Sequence, residues 1–175
     1  FGGIDPADGL LTFQSINRED VTIEGLEVSA SLEFGALSER LNGFSFRTAV
    51  AYADGRDEAT GQPLNTIEPL TAVVGLSYSS PSDRWGADLI WTLVDGKDDN
   101  DVDANNPRLQ TAGYGIVDLL GRFEINDRVS VSAGLFNLGD RTYIRWADTA
   151  GIGADAPARF TQPGFNAGAN ILVEL

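Results

Sequence analysis

Apolar and polar residues alternate along much of this chain. From Leu26 to Phe34 every second residue is apolar, and the residues between them are Glu or Ser. A period of two is typical of a strand with one apolar face. Val21 and Ile23 have the opposite phase, so the pattern predicts a bulge at Gly25. The same alternation predicts seven strands, over residues 26–34, 44–52, 70–78, 85–93, 111–124, 129–135 and 165–175.

The predicted connections alternate between short and long. Residues 35–43, 80–84 and 125–127 form short turns, whereas residues 55–68, 95–110 and 140–164 form long loops. A tilted strand needs about 9 to 11 residues to cross a membrane, which is close to the length of the predicted strands. Outer-membrane barrels have short periplasmic turns and long extracellular loops. The pattern therefore predicts an all-β, antiparallel transmembrane β-barrel with a periplasmic C-terminus.

Aromatic residues concentrate near the strand ends. Those near the short turns are Phe34, Phe44, Tyr78, Trp85 and Phe123. Those near the long loops are Tyr52, Tyr114 and Phe165. Aromatic rings are enriched at both interfaces of a membrane. The two groups therefore predict two aromatic belts.

The composition excludes several classes of function. The chain has 175 residues, of which 42% are hydrophobic and 22% charged, as in a folded domain. It contains no Cys and no His, so cysteine chemistry, imidazole bases and a Ser-His hydrolase are excluded within it. A formal net charge of -14 argues against nucleic acid as a partner. The chain starts at Phe1, without Met or a secretory leader, so we expect it to be part of a longer protein.

A soluble antiparallel sandwich is the main alternative fold, because its strands also alternate. A helical membrane protein is excluded, because the longest apolar run, residues 70–76, is far shorter than the roughly 18 residues that a spanning helix requires. We favour the membrane barrel for two reasons. The apolar face of the clearest strands carries no charge while the other face is polar, and the loops are asymmetric.

One segment carries a specific motif. Phe136-Asn137-Leu138-Gly139-Asp140-Arg141-Thr142-Tyr143 resembles the Asn-Leu-x-Asp-x-x-Tyr signature near the C-terminus of TonB-dependent outer-membrane receptors. The side chains of Asn and Asp readily hydrogen-bond to nearby backbone, and a Tyr at the last position would anchor the start of the long loop. We interpret the signature residues as architectural; they are Asn137, Leu138, Asp140, Tyr143, Pro163 and Gly164.

The resemblance covers nearly the whole chain. Ile23-Glu24-Gly25-Leu26-Glu27 is similar to the family's Gly-Val-Glu strand start, and Tyr114 with Val117-Asp118 is similar to its penultimate hairpin. Arg145-Trp146-Ala147-Asp148 and Arg159-Phe160-Thr161-Gln162-Pro163-Gly164 resemble the branch that takes up haem or iron from haemoglobin, transferrin or lactoferrin. The chain is thereby identified as the last seven or so strands of a barrel of about 22 strands.

The final strand resembles the terminal signal that the barrel-assembly machinery recognises. Its pattern residues are Asn166, Gly168, Ile171, Val173 and Leu175. Two positions depart from the branch. Phe165 stands where an Arg commonly follows Pro-Gly, and Leu175 stands where an aromatic residue is usual.

The resemblance implies a receptor in the Gram-negative outer membrane, surrounded by its lipid. A plug domain with a TonB box, absent from this chain, would couple it to the TonB energising complex. The transported ligand would be haem, or iron from a haem- or iron-carrying protein, gripped by residues 54–68, 95–110 and 140–164. We expect no resident cofactor in this segment. Tyr is the only residue here able to ligate haem iron, and Tyr143 is a weak candidate.

Two other kinds of site are disfavoured. The run from Asp95 to Asp103 offers carboxylates for calcium, but an EF-hand counted from Asp99 would place Ala104 where Gly is required and Gln110 where Glu is required. No pair of carboxylates has a spacing that defines a glycosidase site. We therefore expect a solvated acidic loop and no enzyme activity. A small non-transporting barrel, an adhesin or a structural protein, is the alternative function.

Overall fold

The computed structural model describes residues 3–4, 11–12, 20–152 and 160–174. Two short strands, β1 (Gly3–Ile4) and β2 (Leu11–Thr12), pair with each other. The remaining strands form a seven-stranded antiparallel sheet: β3 (Val21–Glu33), β4 (Phe44–Asp57), β5 (Thr71–Ser79), β6 (Trp85–Val94), β7 (Tyr114–Asn126), β8 (Val129–Phe136) and β9 (Asn166–Val173). Each strand pairs with its neighbour in the chain. The predicted all-β antiparallel architecture is confirmed.

Short connections lie at one end of the sheet and long connections at the other. The short ones are residues 34–43, which contain the 3-10 turns Phe34–Ala36 and Glu39–Leu41, and residues 80–84 and 127–128. The long ones are residues 58–70, 95–113 and 137–165. Gly43 has a φ of +89°, and a Cβ at this position would clash with the carbonyl oxygen of Ser79. Within the described residues, no helix is long and apolar enough to span a membrane.

The strand register places apolar residues from all seven strands on one face. Directly paired residues point to the same side of a pleated sheet. One row crosses the sheet through Leu32, Phe46, Leu76, Leu89, Leu119, Leu135 and Ala167. Leu119 of β7 pairs with Leu89 and Leu135, so its side chain lies on this face. Side chains on this face are widely exposed, with Leu26 at 65% and Ile171 at 69%, as expected of a surface that faces lipid.

The opposite face, which we call the charged face, carries most of the charged residues of the strands but is not uniformly polar. Glu24, Asp54 and Arg56 are the exceptions and lie on the apolar side, at the long-loop end of β3 and β4. Arg47, Asp88 and Asp118 lie on the charged face, among many Gly, Ala and Ser residues. A half-buried apolar patch on the same face extends over β5, β6 and β7 and consists of Val73, Ile90, Ile116 and Leu120. The prediction of a wholly polar second face was therefore wrong over this patch.

The predicted bulge at Gly25 does not form. The pairing of β3 with β4 is continuous from Val21 and Asp57 to Glu33 and Ser45. Val21 and Ile23 therefore share the face of the charged residues. A Cβ on Gly25 would lie 2.8 Å from the carbonyl oxygen of Tyr52, so the glycine permits close pairing of the two strands. The register shift in this sheet lies instead between Glu124 and Asn126, next to a short turn.

Aromatic rings form a contiguous belt at the short-turn end. The ring centroids of Phe44 and Tyr78 are 4.6 Å apart, and those of Tyr78 and Trp85 are 5.0 Å apart. Phe123 pairs directly with Trp85 on the same face. Phe34, predicted to join this belt from a strand, lies instead in the first 3-10 turn, because β3 ends one residue earlier.

The belt predicted at the other end needs one correction. Tyr52 and Phe165 are each 53% exposed, and Tyr52 lies on the apolar face through its pairing with Leu26. Tyr114 pairs with Val94 and so points to the opposite face. The alternation within β7 requires this, because Val117 and Leu119 lie on the apolar face and Tyr114 has the opposite parity.

Candidate functional site

The three long loops pack against one another. We call them loop A (residues 58–70), loop B (residues 95–113) and loop C (residues 137–165, described over 137–152 and 160–165), and together the loop cap. In the described part of the chain, the buried apolar side chains are Leu64, Val102 and Trp146, which are 8%, 7% and 2% exposed. Each comes from a different loop. The apolar core of the described structure therefore lies in the loop cap and not between the strands.

Asn65 of loop A links the other two loops. Its Nδ2 donates to the carbonyl oxygen of Asn106 (2.8 Å), and its Oδ1 accepts from the backbone N–H of Asp103 (2.9 Å). Its carbonyl oxygen accepts from Arg108 Nη1 and from Trp146 Nε1, both at 3.1 Å. One buried residue thereby holds two segments of loop B and the central side chain of loop C.

Trp146 is the main anchor of loop C. Lys97 Nζ lies 5.9 Å and Arg108 Cζ 5.5 Å from the centroid of its ring, distances at which a cation is attracted to the π-face. Its carbonyl oxygen accepts from Oγ1 of the fully buried Thr149 (2.7 Å). The N–H of Leu109 donates to the carbonyl oxygen of Ile152 (3.2 Å) and adds a second link between loops B and C.

The acidic run in loop B uses its carboxylates to shape the loop. The side chains of Asp95, Asp98 and Asp101 accept from backbone N–H groups within the same loop. Asp99 accepts from the side chain of Gln110. Among the residues with described positions, no group of three or more acidic, His or Cys side chains is arranged to hold a metal ion.

The signature residue Asn137 is buried at the junction of β8 and loop C. Its N–H donates to Asp118 Oδ1 (2.7 Å), and its Nδ2 donates to the carbonyl oxygens of Arg141 (2.8 Å) and Pro163 (3.2 Å). Its Oδ1 accepts from the N–H of Arg141 (2.8 Å). Asn137 has a φ of +51°, in the left-handed region that Asn tolerates better than most residues. The side chain therefore ties the two ends of loop C together, and the backbone N–H fastens this junction to β7.

Asp140 and Gly164 meet where loop C enters β9. Oδ1 of Asp140 accepts from the N–H of Phe165 (2.8 Å). A Cβ on Gly164 would collide with the same carboxylate. Leu138 donates its N–H to the carbonyl oxygen of Val117 (2.8 Å). The signature residues and Pro163-Gly164, distant in sequence, are thus brought together as neighbours.

Tyr143 lies against Tyr114 at the base of loop C. Their ring centroids are 4.2 Å apart, and the carbonyl oxygen of Tyr143 accepts from the N–H of Gln162 (2.9 Å). Burial raises the pKa of the Tyr143 phenol, Arg145 lowers it, and Asp118 and Asp148 raise it further, with a net shift upward. The phenol is therefore a weaker acid than an ordinary Tyr, which disfavours the tyrosinate form that an iron ligand requires.

The residues of the terminal pattern lie along β9. Asn166 Nδ2 donates to the carbonyl oxygen of Gly164 (2.9 Å), and Gly168 pairs with Gly134. Ile171 and Val173 point to the apolar face through their pairing with Val131 and Val129. Leu175 and Arg159 lie outside the described residues.

Sequence reasoning did not find Asn65, Leu64 or Val102. Each lies in a loop with no periodic pattern, and each gains its role from loops that are distant in sequence. Trp146 was singled out only as part of a motif, without a structural partner.

Comparison with known proteins identifies the family. Residues 2–138 match the family described as "TonB dependent receptor-like, beta-barrel". The chain is 30% identical over 151 residues to hemoglobin-haptoglobin-binding protein A of Haemophilus influenzae, covering 81% of this chain and 14% of that protein. It is 28% identical over 162 residues to the hemoglobin and hemoglobin-haptoglobin-binding protein of Haemophilus ducreyi, covering 78% of this chain and 16% of that protein. The chain thus spans only a small part of these relatives.

Two solved structures have the same fold. The copper transporter OprC superposes with a TM-score of 0.72 at 24% identity, and unliganded ferric citrate transporter FecA with a TM-score of 0.61 at 15% identity. Each match covers 87% of this chain and 24% of the other. The chain therefore belongs to the TonB-dependent receptor family, and its seven-stranded sheet is a segment of such a β-barrel wall.

Proposed function

We propose that the whole protein is an outer-membrane receptor that takes up haem, or iron, from a haemoglobin-type protein. In this proposal the chain supplies the C-terminal part of the barrel wall and three extracellular loops. The proposal is carried by the haemoglobin-binding relatives, whose similarity extends over most of the chain. It is also supported by the loop cap, a folded surface at the end of the sheet where an extracellular protein would bind.

The orientation follows from the asymmetry of the connections. The loop cap would face the medium, and the short turns and the C-terminus would face the periplasm. The apolar face with its aromatic belt would contact the lipid. The charged face would line the lumen, where a plug domain outside this chain would connect to the TonB energising complex.

The strands at the two edges suggest that more of the barrel is needed. Within the described residues β3 pairs with β4 alone and β9 with β8 alone. Unpaired backbone groups are costly in lipid, so further strands would have to pair with both edges. We propose that the barrel-assembly machinery recognises the β9 pattern during insertion. The comparisons do not favour the small non-transporting barrel, since the matched relatives are receptors.

No enzymatic role is proposed. The signature residues are proposed to be architectural, since the side chains of Asn137 and Asp140 bond to backbone groups of the same loop or its flanking strand. Haem is proposed as cargo and not as a resident cofactor.

The proposed function is tested by growth on haemoglobin. The complete gene is expressed in a Gram-negative host that lacks haem synthesis and its own haem receptors, with haemoglobin as the only haem source. We expect growth that depends on the gene and on an intact TonB. Rescue of all strains by excess free haem is the control. Growth no better than with the empty vector, or growth independent of TonB, would contradict the proposal.

A further inference from the structure

We infer that Asn65 is a positioning residue that makes loops A, B and C one preformed binding surface. This inference rests on the proposed function in one respect, namely that the ligand binds the loops. The coupling between the loops is a property of the chain itself. The two parts are therefore tested by different measurements.

Asn65 and its bonding partner Asp103 are both buried. Asn65 is 8% exposed and Asp103 is 4% exposed. A buried polar group that loses its partner costs about 1–3 kcal/mol. Removing the Asn65 side chain would leave the buried N–H of Asp103 without this partner, whereas the carbonyl oxygen of Asn106, an exposed residue, would turn to water. Loop B is therefore held in its observed shape by a side chain from loop A.

The side-chain amide of Asn65 acts as donor and acceptor. Position 65 must donate toward the carbonyl oxygen of Asn106 and accept from the N–H of Asp103 at the same time. Asp keeps the acceptor but places a second oxygen against a carbonyl oxygen. Leu supplies neither group. Asn is the residue whose short side chain offers both.

The backbone of Asn65 connects loop A to loop C. The Asn65 carbonyl oxygen receives the indole N–H of Trp146 and a guanidinium N–H of Arg108. The same guanidinium lies over the Trp146 ring. The hydrogen bonds and the cation–π contact therefore meet at the Asn65 carbonyl oxygen and the Trp146 ring. A shift of the loop A backbone at this position would displace residues of both loop B and loop C.

A preformed surface has a consequence for binding. Loops that are ordered before the partner arrives do not lose conformational freedom on association, and the affinity is higher by that amount. Substitution of Asn65 should therefore weaken ligand binding by increasing the mobility of the loops, without removing any contact to the ligand. If Asn65 had only a local role, its substitution would change the order of loop A and leave loops B and C unchanged.

The coupling is measured by hydrogen exchange in the full receptor in lipid nanodiscs. The variants are Asn65→Ala and Asn65→Asp, and the matched control is Asn105→Ala, an exposed Asn of loop B. The reporters are the backbone N–H groups of Leu109 and Ile152. The N–H of Leu109 donates to Ile152 across loops B and C, and the N–H of Ile152 donates to Thr149 within loop C. Neither N–H bonds to Asn65. We expect exchange about tenfold faster at both reporters in Asn65→Ala, a smaller increase in Asn65→Asp, and no change in the control or in the strands. Unchanged exchange at the reporters in Asn65→Ala would overturn the inference.

The binding consequence is measured with purified haemoglobin on the same samples. We expect the dissociation constant to rise about tenfold in Asn65→Ala and to stay unchanged in Asn42→Ala, a binding control at an exposed Asn of the short turn 34–43, at the end of the sheet opposite the loop cap. An unchanged constant in Asn65→Ala, with faster exchange, would overturn the preformed-surface part of the inference. If the wild-type receptor does not bind haemoglobin, the proposed function fails, and the exchange experiment still decides whether the loops are coupled.

Discussion

Two neighbouring residues of β6 provide a direct test of which face of the sheet meets lipid. Leu89 lies on the apolar face and Ile90 on the charged face, where it pairs with Asp118. Both are aliphatic, and both lie near the middle of the strand. Substitution of each by Lys introduces the same charge into the same strand, on opposite sides.

The magnitude follows from the position of Leu89. It stands four residues from Trp85 in the aromatic belt and four from Leu93. Four residues span about 13 Å along a strand, or about 10 Å along the membrane normal when the strand is tilted by about 40°. Leu89 is therefore near the midplane, where a Lys facing lipid costs about 2–4 kcal/mol. At position 90 the Lys meets Asp118 and lumenal water, so we expect a cost of about 1 kcal/mol or less.

The assay is urea titration of the full receptor folded into phospholipid vesicles, followed by tryptophan fluorescence. Loss of heat-modifiable mobility on a gel serves as a second probe of the folded barrel. A difference of about 2 kcal/mol or more between Leu89→Lys and Ile90→Lys is the expected result. Equally small costs for the two variants would mean that both faces of the sheet are in contact with water. A larger cost at position 90 would mean that the face of Ile90, and not that of Leu89, contacts lipid.

Three further predictions concern the loop junction, a phenol and the sheet edges. Asn137→Ala should destabilise the receptor by about 2–5 kcal/mol in the same titration, because buried backbone groups of loop C lose their partners. Asn137→Gly should lower the free energy of unfolding slightly less, because Gly tolerates a positive φ. Tyr143→Phe should leave haem affinity, measured by absorbance titration, unchanged, and a tenfold loss would restore Tyr143 as a ligand. Because folding raises the pKa of Tyr143, its contribution to the free energy of unfolding is complete below a pH of about 10 and declines at higher pH. The stability of Tyr143→Phe should therefore fall less steeply than that of the wild type above that pH. The chain expressed alone should aggregate without detergent through the edges of β3 and β9, and a monomer that unfolds cooperatively in plain buffer would count against the membrane assignment.

The strands were predictable because their pattern is local. The alternation of residues from Leu26 to Phe34 and from Trp85 to Leu93 shows directly which side chains share a face of the strand. The antiparallel order follows from the alternation of short and long connections. The errors arose where pairing with a neighbour overrides the local pattern. Gly25 looked like a bulge because apolar Val21 and Ile23 break the alternation, but pairing with β4 keeps one register and leaves both on the charged face.

The loop cap was not predictable to the same degree. Its contacts join residues of three loops, and Asn65 gives no periodic signal that separates it from a solvated Asn. The motif that contains Asn137 and Asp140 was recognisable because its spacing is local and distinctive. Pro163 and Gly164 were identified through resemblance, and the proximity of Pro163 to Asn137 and of Gly164 to Asp140 emerges from the fold.

The most direct test of the central claim is the size and location of the native protein. Intact cells are labelled with an antibody against the segment 141–152 of loop C, and the captured protein is sized on a denaturing gel. We expect capture from intact cells of a protein several times heavier than the 18.7 kDa of this chain, because the chain matches only 14% to 18% of its haemoglobin-binding relatives. Capture only after the outer membrane is permeabilised, or a band near 18.7 kDa, would contradict a large receptor with its loops at the cell surface.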